Sequence, residues 1–409
     1  MRDAPAPTDL PELMSNAAWG EFCDRLKAIG ERLLGPEFPA TPRGRAEGYD
    51  YLGQLISAGF KRYLRLADPD FPVFSTQYDH TINFAGPNID NRYLRAVVRP
   101  DHTYRIWGSA AGAPDILIDT RSGDHAFGNA RVHRELALEN IEVEADGSFE
   151  VFLSAHEQPR NWLPLDPEAN HVHVRQYLID WENDRAEPLY IENLTTLGTR
   201  PTVPEPQALL DALDLIPTFV DGSLTVWNDH PLLAEHPLRV ARASLFPVEA
   251  NVLPPPRRHA LGRAALAYST GNWDLADDEC LLLAWRPPTD ATYWNVQAYS
   301  QRYFQALDHR HRLTTYNHTQ ATVDPDGMVR MVVAGSDPGI RNWLDSERRP
   351  GGYIVYRQIG GELVTDITCQ VLPFDDLPTA LGPAATQVDA NQRREQLTQR
   401  QRQAAHDWF

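Results

Sequence analysis

One arrangement of residues occurs twice in this 409-residue chain, in the same order, and no other feature constrains the fold as much. In the first half Asp146-Gly147 precedes Asn161-Trp162-Leu163 and then Arg175-Gln176. In the second half Asp326-Gly327, Asn342-Trp343-Leu344 and Arg357-Gln358 repeat the series, with each interval one residue longer. Upstream, Leu94–Pro100 followed by Thr103-Tyr104 parallels Leu281–Pro287 followed by Thr292-Tyr293. The repeated types have physical roles. Asp-Gly supplies the left-handed geometry of a hairpin turn, Trp anchors the loop after it, and Arg in a strand offers a planar donor to a carboxylate.

The segments around these motifs read as strands. Short runs such as Tyr93–Val98, Thr103–Gly108, Phe149–Leu153, Val172–Trp181, Trp294–Tyr299 and Tyr353–Gln358 are separated by Gly, Pro, Asn and Asp. Helical spacing appears at Ser15–Leu34, with Ser15 as the expected N-cap, and again at Ala46–Leu66. It returns between Pro206 and Phe246, where Leu209, Leu213, Leu232, Leu233, Leu238 and Val240 contribute. The expected fold is therefore mainly β: two β-sandwich or jelly-roll-like halves related by duplication, with N-terminal helices and a helical connector. The expected boundaries are a helical segment at 1–72, β domains at 73–200 and 257–375, a connector at 201–256 and a polar tail at 376–409, helix or frayed coil.

A net charge of −18 without a basic stripe disfavours nucleic acid as a partner. Cys23, Cys280 and Cys369 are odd in number and far apart, which suits reduced, buried thiols and a cytoplasmic setting. No apolar run is long enough for a signal segment or a membrane span, so no membrane partner is expected.

The second half carries Tyr293-Trp294-Asn295-Val296-Gln297, Leu307-Asp308-His309-Arg310, Asn317-His318, Asp337-Pro338-Gly339, Asn342-Trp343-Leu344-Asp345 and Gly351-Gly352. Through these residues it resembles the family called domain of unknown function 1214. In the first half, Gly86-Pro87-Asn88-Ile89-Asp90-Asn91 with Tyr93 resembles the signature of a companion, domain of unknown function 1254. The resemblance implies a two-domain β-sandwich or jelly-roll protein that forms homo-oligomers, and it assigns no activity.

No phosphate loop, dinucleotide fingerprint or zinc-protease motif occurs, and Ala267-Tyr268-Ser269-Thr270-Gly271 lacks the first glycine of a nucleophile elbow. Neither cofactor nor metal is expected. Strand alternation puts His171, His173, Arg175 and Tyr177 on one face, which either meets water, lines a pocket or, least favoured, binds a metal. His309 and His311 repeat the alternation among charged neighbours, so a solvated outer face is expected there. Carboxylates beside aromatic residues at loop–strand junctions suit acid/base chemistry on a small hydroxylated or carbohydrate-like molecule. On that reading Asp90 and Asp308 exchange protons with help from His80. Asn88, Tyr93, Asn342 and Trp343 position the substrate, Arg175 or Arg357 holds an anionic group, and the site is a cleft between the halves. The competing expectation is a ligand-binding or oligomeric scaffold protein in which the same residues hold domains together.

Overall fold

The computed structural model describes residues 10–36, 38–203, 205–228, 249–258 and 263–406. The strands of the first half are β1 (Ser75–Thr76), β2 (Asn91–Val97), β3 (Tyr104–Ser109), β4 (Asp115–Ser122), β5 (Arg131–Ala137), β6 (Ser148–Ser154), β7 (Trp162–Pro164), β8 (His171–Tyr177) and β9 (Leu189–Asn193). Those of the second are β10 (Arg257–Arg258), β11 (Leu266–Asp274), β12 (Glu279–Trp285), β13 (Tyr293–Ser300), β14 (Thr315–Asn317), β15 (Val329–Ala334), β16 (Trp343–Asp345), β17 (Gly351–Ile359) and β18 (Thr368–Pro373).

Each half is a sandwich of a five-stranded and a four-stranded sheet. The orders are β1-β2-β8-β4-β5 with β7-β6-β3-β9, and β10-β11-β17-β13-β14 with β16-β15-β12-β18. Raising every strand number of the first half by nine reproduces the second. The duplication is thus a property of the topology as well as of the sequence.

The motif residues occupy equivalent places. Gly147 and Gly327 both have positive φ, and each closes the turn that opens β6 or β15. The Asn161 side chain accepts from Glu142 N and donates to the carbonyls of Glu142 and Glu150. Asn342 likewise accepts from Thr322 N and donates to the carbonyls of Thr322 and Arg330. Trp162 Nε1 donates to Ser154 O at 2.9 Å, and Trp343 Nε1 to Ala334 O at 3.0 Å. The upstream pairing needs correction. Leu94–Val97 lies in β2, whose counterpart is β11, whereas Leu281–Trp285 forms β12, the counterpart of β3. Two apolar strands ending near a proline look alike without occupying like positions.

Strand alternation decides what each sheet buries. Leu94, Ala96, Ile116, Ile118, Val172 and Val174 of the first five-stranded sheet pack on Ile106, Val151 and Leu153 of its four-stranded partner. Val296, Ala298, Ile354 and Tyr356 pack in the same way on Leu281, Leu283, Met331 and Val333. The opposite faces of the five-stranded sheets carry polar and aromatic side chains and look toward the other half.

Helices Ala17–Arg32, Pro42–Phe60 and Pro206–Asn228 pack together through Phe22, Leu33, Leu55, Ile216 and Phe219. Thr41 caps the second by accepting from Gly44 N at 3.1 Å. The expected Ser15 cap is displaced: Asn16 holds the N-cap position and makes no side-chain cap bond. Trp19 and Cys23 are exposed rather than buried, because the helix turns its other face to its neighbours. The expected positions Leu232, Leu233, Leu238 and Val240 lie outside the described residues. The polar tail is a helix, Ala390–Ala404, opened by a capping box of Asp389 and Gln392. None of the helices among the described residues is long and apolar enough to cross a membrane.

The twin asparagines allow a direct test of this equivalence. Asn342→Ala removes three bonds to backbone groups in a buried setting and should lower stability by about 2–4 kcal/mol in urea unfolding. Asn161→Ala breaks the same three bonds nearer to water and should lower it by about 1–2 kcal/mol.

Candidate functional site

The polar faces of the two large sheets meet along a seam built on one loop and one strand. Side chains at alternate positions of β13 reach the Gly86–Asp90 segment in succession. Tyr299 Oη donates to Pro87 O at 2.9 Å, and Gln297 bonds both Pro87 O and Ile89 N, at 3.1 Å each. Asn295 Nδ2 donates to Asn88 Oδ1 at 2.8 Å and Asp90 Oδ2 at 3.0 Å, while Tyr293 Oη donates to Asp90 Oδ2 at 2.7 Å. Trp181 Nε1 and Asn317 Nδ2 donate to the other Asp90 oxygen at 2.8 and 2.9 Å. Burial and the adjacent Asp90 carboxylate hold the Tyr293 hydroxyl well above its usual pKa, so it stays a donor. Gly86 is required where it stands: its φ is +63°, and a Cβ there would lie 2.3 Å from the Phe304 ring.

Beside this seam the sheets enclose a cavity of about 180 Å³. Six arginines line it: Arg62, Arg95, Arg121, Arg175, Arg263 and Arg357. Carboxylates engage four of them. Asp124 holds Arg62 at 3.1 Å, Asp119 holds both Arg121 and Arg175, and Asp115 holds Arg263. Among the described residues Arg357 donates only to neutral oxygens, Tyr299 Oη at 2.7 Å and Gly86 O at 3.1 Å. Arg95 has neither a hydrogen bond nor an ion pair among the described residues, and burial lowers its pKa to about 10. The wall therefore carries an excess of positive charge inside an acidic protein.

The rest of the wall is aromatic and imidazole. Tyr93, Tyr268, Tyr177, Trp227 and Phe304 supply rings, and the guanidiniums of Arg175 and Arg357 each lie 5.9 Å from the centre of a tyrosine ring, Tyr93 and Tyr268 respectively. These two pairs are counterparts under the duplication, since Tyr93 faces Arg175 across β2–β8 and Tyr268 faces Arg357 across β11–β17. His171 and His173 have ring centres 4.9 Å apart. Burial, then the neighbouring arginines, depress the pKa of both well below the usual histidine value, and burial lowers His125 to about 4.

The structure separates the residues expected to act together. Asn88, Tyr93, Arg175 and Arg357 line the cavity, together with His171 and His173, whose shared face is a pocket wall. Asp90 is fully buried and takes its four side-chain donors in the seam, outside the cavity wall. Asp308 and His80 lie on the exterior: Asp308 accepts from Arg310 N and from His311, and His80 contacts Arg310. The proton-transfer pair is therefore not assembled in the cavity. Asn342 and Trp343 brace β16, away from the cavity. His309 is half-buried rather than solvated, edge-on to Trp181, whereas His311 is exposed. Among the described residues one group of metal-ligating types converges, His133, Asp166 and Glu168, and Arg131 already holds Glu168 at 3.1 Å. A cation at His171 and His173 would meet the guanidiniums around them.

Sequence reasoning missed Arg62, Arg95, Arg121, Arg263, His125 and Tyr268. For Arg95 a signal existed, since it stands two residues after Tyr93 and shares its strand face. Tyr268 was obscured because Leu266–Asp274, rich in Ser, Thr, Gly and Asn, does not read as a strand, yet it forms all of β11.

Fold and cavity together define a duplicated double β-sandwich with a cationic pocket where its halves meet. Segments 95–179 and 277–361 both match the family described as Protein of unknown function (DUF1214), so each repeat is similar to that family's domain. Arg175 and Arg357 fall at the same distance from the start of their segments. The first half thus carries the same domain as the second, and the companion family expected around Gly86–Asn91 finds no support in these matches. An uncharacterised protein of Burkholderia cenocepacia, 28% identical, is similar in structure with a TM-score of 0.79 over 89% of this chain and 99% of that one. The VPA0106 protein of Vibrio parahaemolyticus, 13% identical, aligns over 80% of this chain and 97% of that one with a TM-score of 0.46. No curated protein matches the sequence.

The contrast between the two carboxylates is measurable. Asp90→Ala leaves four donors of the seam without their acceptor and should cost at least about 3 kcal/mol in chemical denaturation. Asp308→Asn, at the surface, should change stability by no more than about 0.5 kcal/mol.

Proposed function

We propose that this protein binds a small organic anion with an apolar body in the cavity between its halves. The observation that carries the reading is Arg95, a guanidinium on the cavity wall with no direct hydrogen bond or ion pair among the described residues. A half-buried guanidinium without a direct acceptor is costly to a fold, and such costs are found where a ligand supplies the missing partner. The aromatic wall suits the ligand's body, because flat rings pack on tyrosine and tryptophan while a carboxylate takes a planar pair of bonds from arginine. The volume suits a small molecule: apolar cavities of roughly 150 Å³ accept benzene.

Acid/base turnover by Asp90 and Asp308 has less support, since neither lies on the cavity wall. A cytoplasmic setting is inferred from Cys23, Cys280 and Cys369, all of them unpaired.

Ligand binding should appear as a saturable rise in melting temperature with benzoate or other small carboxylates, and not with the matching neutral amides. Arg95→Gln should weaken that response at least tenfold without lowering the melting temperature of the free protein, because it removes a half-buried charge that has no direct partner among the described residues. Equal responses to acid and amide, or an unchanged response in the variant, would rule the reading out.

A further inference from the structure

Resting on that reading, we propose that His171 and His173 form the second part of the anion clamp, and that the ligand enters together with a proton delivered to this histidine pair. Arg95 faces His173 directly across β2–β8, so a carboxylate on Arg95 lies beside the imidazoles. Both histidines are at least nine-tenths buried. His171 Nδ1 is 2.6 Å from Asn170 Oδ1, which fixes the proton on that nitrogen and leaves Nε2 of the neutral ring as an acceptor. His173 Nε2 is buried without a hydrogen-bond partner among the described residues. A neutral imidazole acceptor repels a carboxylate oxygen, whereas an imidazolium donates to it.

The charges facing the pair explain why the proton waits for the ligand. Arg95 comes from β2, Arg121 with its partner Asp119 from β4, and Arg175 from β8 itself. His125 and Asp124 come from the turn after β4, Arg62 from the π-helical turn Lys61–Arg65 that follows the second helix, and Arg263 and Arg357 line the same cavity from the second half. With guanidiniums in excess, protonation of the free site is opposed, in keeping with the depressed pKa of both rings. A bound carboxylate offsets one positive charge and lends the imidazolium an acceptor. The step is a simple one: one proton passes from the solvent to one imidazole, and no covalent bond to the ligand forms or breaks.

The sign follows from linkage. A histidine whose pKa is higher in the complex than in the free protein takes up its proton between those two values, so affinity rises as pH falls through that window. Benzoate stays ionised over the range used, which isolates the protein's own titration. Calorimetric titration of the full chain with benzoate at pH 6.0 and 8.5, in two buffers of different ionisation enthalpy, measures the protons taken up. Uptake approaching one proton is expected at pH 6.0, with affinity at least about tenfold weaker at pH 8.5. The His171→Gln, His173→Gln double variant should keep Arg95-dependent binding, lose the uptake and show a flat pH profile. Binding without uptake at pH 6.0, or uptake that persists in the double variant, overturns this proposal and leaves the anion site standing. Absence of any Arg95-dependent binding overturns both.

Discussion

Four alternate side chains of one strand hold the molecule together. Tyr293, Asn295, Gln297 and Tyr299 of β13 hydrogen-bond the Gly86–Asp90 segment of the other half, and Asp90 gathers further donors from Trp181 and Asn317. A buried carboxylate with so many donors is satisfied where it stands, and it fixes the register of one half against the other as a close-packed apolar contact would not. Gly86 is held to glycine for the same reason, since the loop must pass against Phe304.

This seam explains how a duplicated sandwich acquires a pocket. Each five-stranded sheet spends its apolar face on its own four-stranded partner, so what remains for the other half is a polar face. Two such faces cannot close completely, because every buried polar group needs a partner. Along β13 the partners are found. Farther along β2, β8 and β11 the faces are left apart, and the gap between them is the cavity. Its charge follows from divergence of the repeats: Arg175 has Asp119 as a partner, whereas the position of β13 equivalent to Asp119 is Gln297, which serves the seam instead.

Much of the fold was legible because the motifs that recur are those that define local geometry. Asp-Gly turns, bracing asparagines and anchoring tryptophans act within a few residues of themselves, and their physical reading needs no knowledge of the rest of the chain. Boundaries and equivalences carried by apolar runs alone were less secure, as the mispaired Leu94 and Leu281 segments show. The site was legible only in part. The alternation of His171, His173 and Arg175 could be read from β8, and a cleft between the halves followed from duplication. The arginine cluster could not be read, because its members come from distant parts of the chain and their charges are lost in an acidic total. Asp90 drew attention for a sound reason, a carboxylate at a loop–strand junction, but its donors lie more than ninety residues away.

Diffraction from crystals of the full chain soaked with benzoate gives the most direct measurement. The expected result is density for the carboxylate within hydrogen-bond distance of the Arg95 guanidinium, with the ring among the cavity's aromatic side chains. Benzoate bound only at the outer surface, with water alone in a cavity of unchanged shape, would contradict the account.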